Sequence, residues 1–272
     1  MLAVQRRKAT IELLSRTDAM TVDDLSARLE VSLSTVRRDL DELKAEGIVR
    51  RVHGGAVLVR ATEPDAPELS PDLREVEHAA DKRAIAGVAV ALVNPGSVLL
   101  VTGGTTTAAL LPLLAAVPDL VIVTNSLAVA TRLSSTDVDL IVLGGTLRRP
   151  ELSLLGHLVA AAIVELHIDH VITSSYGIDA RSGILGASAQ ECETDRHLAR
   201  SALRLTVLAD ASKFGRRSPH RIVGFDTVTD LVTTDEAPEA DLAELRDQGV
   251  AVHVASALAG TTPTRRRTRG TR

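Results

Sequence analysis

Apolar residues recur at helical spacing through the first fifty positions of this chain, and in short unbroken runs through most of the rest. In residues 5–16, QRRKATIELLSR, the positions Ala9, Ile11, Leu13 and Leu14 predict an amphipathic helix. Thr21, with Asp24 three residues on, has capping-box-like spacing at the start of a second helix that turns Leu25 and Leu29 inward. Glu30-Val31 reads as a tight turn. Ser32 or Ser34 caps a third helix running to about Glu46, with Val36, Leu40 and Leu43 on its buried stripe and Gly47 ending it. Ile48–Arg51 and Ala56–Val59 then read as two short strands around His53-Gly54-Gly55, the ending of a winged helix.

Residues 60–73, RATEPDAPELSPDL, hold three prolines and four acids and read as a linker. An amphipathic helix is expected over 74–92. Beyond it the pattern repeats as strand, polar Gly/Ser/Thr/Asn turn, helix. The expected strands are Val98–Val101, Val121–Thr124, Leu140–Leu143, His170–Thr173, Leu205–Ala209, Leu231–Thr233 and Val250–Val254. Short, nearly all-apolar runs of this kind suit a parallel sheet covered on both faces. The fold class is therefore α/β: an N-terminal winged helix-turn-helix domain over 1–59, then a larger Rossmann-like parallel α/β domain over 74–260. Residues 261–272, TTPTRRRTRGTR, are expected to form a disordered basic tail.

Composition narrows the chemistry. Aromatics make up 1% of the chain and Trp is absent, so the core is aliphatic and stacking-based recognition has few residues to use. No run approaches the roughly 18 apolar residues of a membrane span, and MLAVQRRKAT lacks the apolar core of a signal peptide. A single cysteine, Cys192, excludes an intrachain disulfide; it reads as a spectator thiol in a cytoplasmic protein. The formal net charge of −4 argues against a nucleic-acid binder until it is partitioned. Residues 1–60 carry eleven basic and nine acidic side chains, residues 61–260 fifteen and twenty-six, and the last twelve residues five arginines and no acid. Basic ends flank an acidic body, which keeps phosphate contacts local to those ends.

In a helix-turn-helix the N-terminal residues of the second helix enter the major groove. Here these are Ser34, Thr35, Arg37 and Arg38. Adjacent helical arginines project about 100° apart, so one can reach a base edge while the other reaches a phosphate. Arg50, Arg51 and His53 sit where a wing meets the DNA backbone. The competing reading makes Arg37-Arg38 a solvated face balanced by Asp39, Asp41 and Glu42. The register of caps, turn, stripe and Gly-Gly wing favours double-stranded DNA as partner.

Ligands of open parallel sheets sit beyond the carboxyl ends of the strands. Those ends read Thr102-Gly-Gly-Thr-Thr-Thr, Thr124-Asn-Ser, Gly144-Gly-Thr, Ser174-Ser-Tyr-Gly-Ile-Asp and Asp210-Ala-Ser-Lys-Phe-Gly. Gly103, Gly104, Thr105, Thr106 and Thr107 follow a strand and open a helix, an arrangement that aims N–H groups and a partial positive charge at an anion. A plain strand-to-helix turn with Thr caps is the alternative. Lys213 is one of four lysines against 27 arginines, a compact point charge at a strand end or an ordinary surface lysine. Lys82 reads as structural or as a salt-bridge partner. Glu191 and Glu193, placed before a helix at 192–203, could bind sugar hydroxyls or serve the helix dipole; Asp179 could accept from a hydroxyl or close a turn. Neither G-x-x-x-x-G-K-[ST] nor G-x-G-x-x-G is present, which speaks against nucleotide hydrolysis and dinucleotide binding. His157, His167 and His170 have no metal-ligand spacing, and neither metal nor cofactor is expected.

The segment Val31–Ala56, VSLSTVRRDLDELKAEGIVRRVHGGA, closely resembles the N-terminal segment of DeoR-type bacterial transcription regulators, with V-S-x-x-T-x-R-R-D-L running on to an R-x-H-G-G-A wing. G-T-T, V-T-N-S, L-G-G, G-I-D and L-A-D-x-S-K-F-G follow in the family's order, so the likeness covers nearly residues 1–235. The resemblance implies an effector domain similar in fold to sugar-phosphate isomerases and CoA transferases. It also implies a phosphorylated sugar or related metabolite bound at the strand ends, altering the affinity for operator DNA. By position it offers Gly104, Thr105, Thr106, Asn125, Ser126, Gly177, Asp179 and Lys213 as pocket residues. Many members carry an acid two residues before G-T-T; this chain has Thr102-Gly103 there, so the usual sugar preference does not transfer. Ser174-Ser175-Tyr176 departs from the usual small Gly/Ala-rich run, and Tyr176 is expected to narrow the pocket. The expectation is a non-enzymatic repressor of sugar or carbohydrate genes, with an activator as the alternative, acting as a homodimer or homotetramer with no membrane partner. The other class is a sugar-phosphate isomerase or deaminase with an accessory DNA-binding domain, using Glu191, Glu193 or Asp179 as acid or base.

Overall fold

The computed structural model describes residues 2–15, 17, 19–52, 54–59, 71–149 and 151–256. His53, most of the expected linker and the expected basic tail lie outside these. The N-terminal unit runs α1 (Ala3–Ser15), β1 (Met20–Thr21), α2 (Val22–Leu29), α3 (Leu33–Ala45), β2 (Val49–Val52) and β3 (Gly55–Leu58). Ile11, Leu14, Leu25, Leu40, Leu43 and Ile48 form its core. Thr21 caps α2 by accepting from the Asp24 amide at 3.1 Å, and Ser32 caps α3 by accepting from the Thr35 amide at 3.2 Å. Of the two serines left open by the sequence, Ser32 is thus the cap. β1 pairs antiparallel with β3 and β3 with β2. The chains approach so closely that a Cβ on Gly55 would lie 2.2 Å from the Met20 carbonyl oxygen. The two-residue strand β1 carries no alternation for the sequence to reveal.

After the segment outside the described residues come α4 (Pro71–Val76) and α5 (Ala79–Ala89), in place of the single helix expected over 74–92. His78 breaks it, adopting φ 54° between the two. Three positions expected as linker thus lie in α4. The elements that follow are β4 (Val98–Val101), α6 (Thr105–Leu114), β5 (Val121–Thr124), α7 (Leu127–Leu133), β6 (Asp139–Val142), β7 (Thr146–Arg148), β8 (Ser153–Leu155), α8 (His157–Ile163), β9 (His170–Ser174), β10 (Gly177–Asp179), β11 (Gly183–Leu185), α9 (Ala189–Ala199), β12 (Arg204–Leu208), β13 (Arg221–Val223), β14 (Asp230–Thr234), α10 (Glu239–Asp247) and β15 (Ala251–Ala255).

All seven expected strands fall in one parallel sheet, ordered β15-β14-β12-β9-β4-β5-β6. Aliphatic cores cover both faces, one around Leu100, Val171 and Val207, the other around Leu99, Leu110 and Ile172. β4 starts the sheet, which grows to one side through β5 and β6 and to the other through β9 onward. The switch point is therefore the β4–β9 boundary, where neighbouring connections diverge and leave a crevice. Two smaller antiparallel sheets, β7-β8 and β10-β11-β13, complete the domain.

Candidate functional sites

On the winged helix, Ser34, Arg37 and Arg38 are exposed and Thr35 is half-buried, all in the first turns of α3. The acids expected to neutralise the arginines mostly do not. Asp39 is buried and receives both Nε and Nη2 of Arg6 from α1, the latter at 2.8 Å. Glu46 is held by Arg7 at 2.5 Å. Glu42 lies 3.5 Å from Arg38 and 3.8 Å from Arg7. Among the described residues no acid pairs with Arg37. In the wing, β-strand alternation separates the adjacent arginines: Arg50 is exposed, while Arg51 is half-buried with its Nη1 enclosed and unbonded. Arg50 is thus the more exposed of the two wing arginines.

At the switch point a cavity of about 110 Å³ opens beyond β4 and β9. Thr102, Gly103, Gly104, Asn125, Thr173, Ser174, Ser175, Tyr176 and Lys213 reach its wall. Gly104 has φ 136° and no room for a side chain: a Cβ would lie 2.1 Å from Ser174 Oγ. The helix it begins, α6, has no side chain capping its first amides, whereas α7 and α9 are capped by Ser126 and Ser188. The first turn of α6 keeps its N–H groups for another acceptor.

Three buried polar atoms on this wall have no hydrogen-bond partner among the described residues: Asn125 Oδ1, Ser153 Oγ and Ser175 Oγ. An unsatisfied buried polar group costs about 1–3 kcal/mol, so a ligand rich in hydroxyls gains by supplying the missing partners. Lys213, Arg74 and Arg216 bring cations to the same wall; Glu151, Glu191 and Asp195 bring carboxylates. Arg216 stacks on Tyr176, 4.3 Å from guanidinium to ring centroid, and donates to the Tyr176 carbonyl at 3.2 Å, so Tyr176 does form a fixed side of the cavity.

The charges are linked. Glu151 bonds Arg74 and lies 3.8 Å from Arg148, which lies 3.0 Å from Glu191. Burial and the adjacent Glu191 push Asp195 up to about 7, against the pull of Arg148. Asp210, 4.0 Å from Lys213, is held below the ordinary carboxylate range. Burial alone would raise it, but Lys213, His78, the Ser212 hydroxyl and Lys82 together outweigh that. Lys82 is structural. It is buried, drawn down to about 8 by loss of solvent, and its Nζ donates to the Arg74 and Glu77 carbonyls at the end of α4.

Not every expected residue reaches the cavity. Thr105 and Ser126 line an adjoining hollow of about 220 Å³. Thr106 and Thr107 are buried in α6, with Thr107 Oγ1 returning to the Gly104 carbonyl at 2.8 Å. Gly177 serves close packing, since a Cβ there would meet Arg216 Cβ at 2.9 Å. Asp179 closes a turn by accepting from the Arg181 and Ser182 amides at 3.1 and 2.7 Å; its carboxyl is held below the usual range by those bonds and is absent from the cavity wall. The helix expected at 192–203 begins at Ala189, placing Glu191 in its first turn, where Ser188 Oγ bonds it at 3.1 Å, and leaving Glu193 exposed. Cys192 is buried, and burial raises its thiol. The residues that the sequence did not reveal are Arg74, Glu151, Ser153, Asp195 and Arg216.

Two family profiles match this chain: a DeoR-like helix-turn-helix domain over residues 6–62 and a DeoR C terminal sensor domain over residues 77–235. The HTH-type transcriptional regulator GlpR of Haloferax volcanii is 32% identical over 253 residues, covering 93% of this chain and 98% of its own. The glycerol-3-phosphate regulon repressor of Escherichia coli is 30% identical over 247 residues, covering 90% and 96%. Ribose 5-phosphate isomerase A of Methanocaldococcus jannaschii superposes on 50% of this chain and 55% of its own, with TM-score 0.39 and 16% identity, too slight a likeness to carry chemistry across.

Proposed function

This chain belongs to the DeoR family of transcriptional regulators, and from that premise we propose that it is a repressor whose operator affinity is set by a phosphorylated sugar at the β4–β9 switch point. The observation that carries this reading is the convergence of three unbonded buried polar atoms with Lys213 and an uncapped helix start on one cavity. Hydroxyls answer the Asn125, Ser153 and Ser175 atoms. A phosphoryl group answers the α6 amides and Lys213. The name of the E. coli relative, a glycerol-3-phosphate regulon repressor, fits a phosphorylated metabolite of this size.

At the other end, Arg37 meets a base edge, Arg38 and Arg50 meet phosphates, and Ser34 and Thr35 flank them. Symmetric pairing of chains presents two α3 helices to half-sites one helical turn apart. The effector acts by binding one arrangement of the pair more tightly than the other, since equal affinity for both would shift nothing.

A mobility-shift titration tests this, using DNA from upstream of the adjacent genes and a panel of sugar phosphates. One of the phosphates releases the wild-type protein, and Arg37→Ala abolishes the shift. DNA binding that no phosphate alters removes the effector half of the reading. Turnover of a sugar phosphate by the purified chain contradicts the regulator assignment.

A further inference from the structure

We propose that Arg74 is a ligand of the effector's anionic group, and that it is the contact through which the cavity reaches the DNA-binding domain. This rests on the reading of the switch-point cavity as the effector site and deepens it.

The two faces of α4 carry the case. Leu73 and Val76, three residues apart and so on one face, pack into the core of the winged helix, and α4 lies against α1. Arg74 and Glu75 point the other way, into the sensor domain. Arg74 reaches the cavity wall and bonds Glu151, while Glu75 accepts from Arg132 at 2.9 Å. A helix of one and a half turns thus has the winged helix on one side and the effector cavity on the other. Its far end is fixed, because buried Lys82 donates to the carbonyls of Arg74 and Glu77.

Glu151, one partner of Arg74, is replaceable. Glu151 carries one negative charge and has Arg148 3.8 Å away as a second cation. A phosphate monoester carries more charge than a carboxylate and offers three oxygens to a planar guanidinium. When the phosphate takes Arg74, Glu151 stays within reach of Arg148, a cation it shares with Glu191. The exchange draws Arg74 toward the α6 amides and alters how α4 seats on α1. Motion of α1 is transmitted directly: its Arg6 and Arg7 hold Asp39 in α3 and Glu46 at its end, α3 being the helix that carries Arg37.

The test is hydrogen exchange on the full chain, with inorganic phosphate, glycerol 3-phosphate and ribose 5-phosphate as probes against chloride at matched ionic strength. In the wild type a bound probe slows exchange at residues 103–107 and changes it at 71–76 and 3–15. Arg74→Gln needs about tenfold more probe for the first effect and loses the change at 3–15 even at saturation. A change at 3–15 that persists in saturated Arg74→Gln overturns the inference. So does a wild type in which 103–107 responds while 3–15 does not; that result leaves the cavity reading standing. No response at 103–107 to any probe overturns both. Glu151→Gln supplies a gain-of-affinity check. It binds the probes several-fold more tightly, and the gain vanishes in the double variant with Arg74→Gln. A gain of equal size in both backgrounds assigns the effect to bulk charge and overturns the partner exchange.

Discussion

Arg37 and Arg38 are adjacent in sequence and unequal in the fold. Arg38 leans on Glu42 along the helix, whereas Arg37 has no acidic partner among the described residues, and the neighbouring Asp39 is turned inward to Arg6. Arg37→Ala is expected to cost about 1–3 kcal/mol of operator binding and to relax base preference, while Arg38→Ala weakens all sequences alike and flattens the salt dependence. Fluorescence anisotropy against matched and scrambled DNA over a salt series separates the two. Asp195 supplies a pH dependence. Its carboxyl titrates near 7, so it is neutral in mild acid and charged above. The folded chain keeps a proton that the unfolded chain releases at its ordinary value of 3.8, so this residue's contribution to stability falls as pH rises through that window. The new charge faces a cavity already holding Glu191 and Glu151 against Arg74, Lys213 and Arg216, with Arg148 behind Glu191. Anion affinity should therefore drop on the order of tenfold between about pH 6 and 8 relative to Asp195→Asn, the phosphate's own titration being common to both. Identical profiles for the two proteins would exclude Asp195 from the site. Arg37 was legible in the sequence because a helix-turn-helix fixes where its side chain goes. Asp195 and Ser153 were not, since their roles come from what packs around them and no local spacing marks them.

Helices and strands were legible where one periodicity persists long enough to dominate. The seven parallel strands follow continuous apolar runs, and Ser32 and Thr21 cap where side-chain oxygens precede apolar stripes. Ser32→Ala should cost about 1 kcal/mol and lower the melting temperature of the winged helix, with DNA affinity falling as α3 frays. Failure was confined to short pieces. β7, β8, β10, β11 and β13 have three residues each, too few to display alternation. The break at His78 falls inside a run whose composition is helical throughout. Gly104 tests the strand-to-helix turn most sharply. Its backbone is held at φ 136°, and a Cβ would strike Ser174 Oγ, so Gly104→Ala should lose about 1–3 kcal/mol of stability along with anion binding. Gly103→Ala meets Ser126 Oγ at 3.2 Å and should be far milder. Thermal melts with and without phosphate rank the pair; equal losses would mean that the turn is not held to this geometry.

The molecule as a whole joins an acidic sensor to a winged helix carrying a small net positive charge, and each half has its own aliphatic core. Both halves could be read from periodicity alone. Their junction could not, because Pro71–Leu73 falls in a stretch with the composition of a linker, and only the packing of Leu73 and Val76 reveals α4 as a helix shared by the two domains. That junction matters because the proposed control requires occupancy at β4 and β9 to be carried to the α3 surface. The most direct measurement is the affinity of the full chain for DNA from upstream of its neighbouring genes, taken by anisotropy across a titration of the sugar phosphate that most raises its melting temperature. The account predicts that operator affinity falls as the cavity fills, in step with occupancy, and that Arg74→Gln saturates without releasing DNA. Filling of the cavity with operator affinity unchanged in the wild type would contradict it.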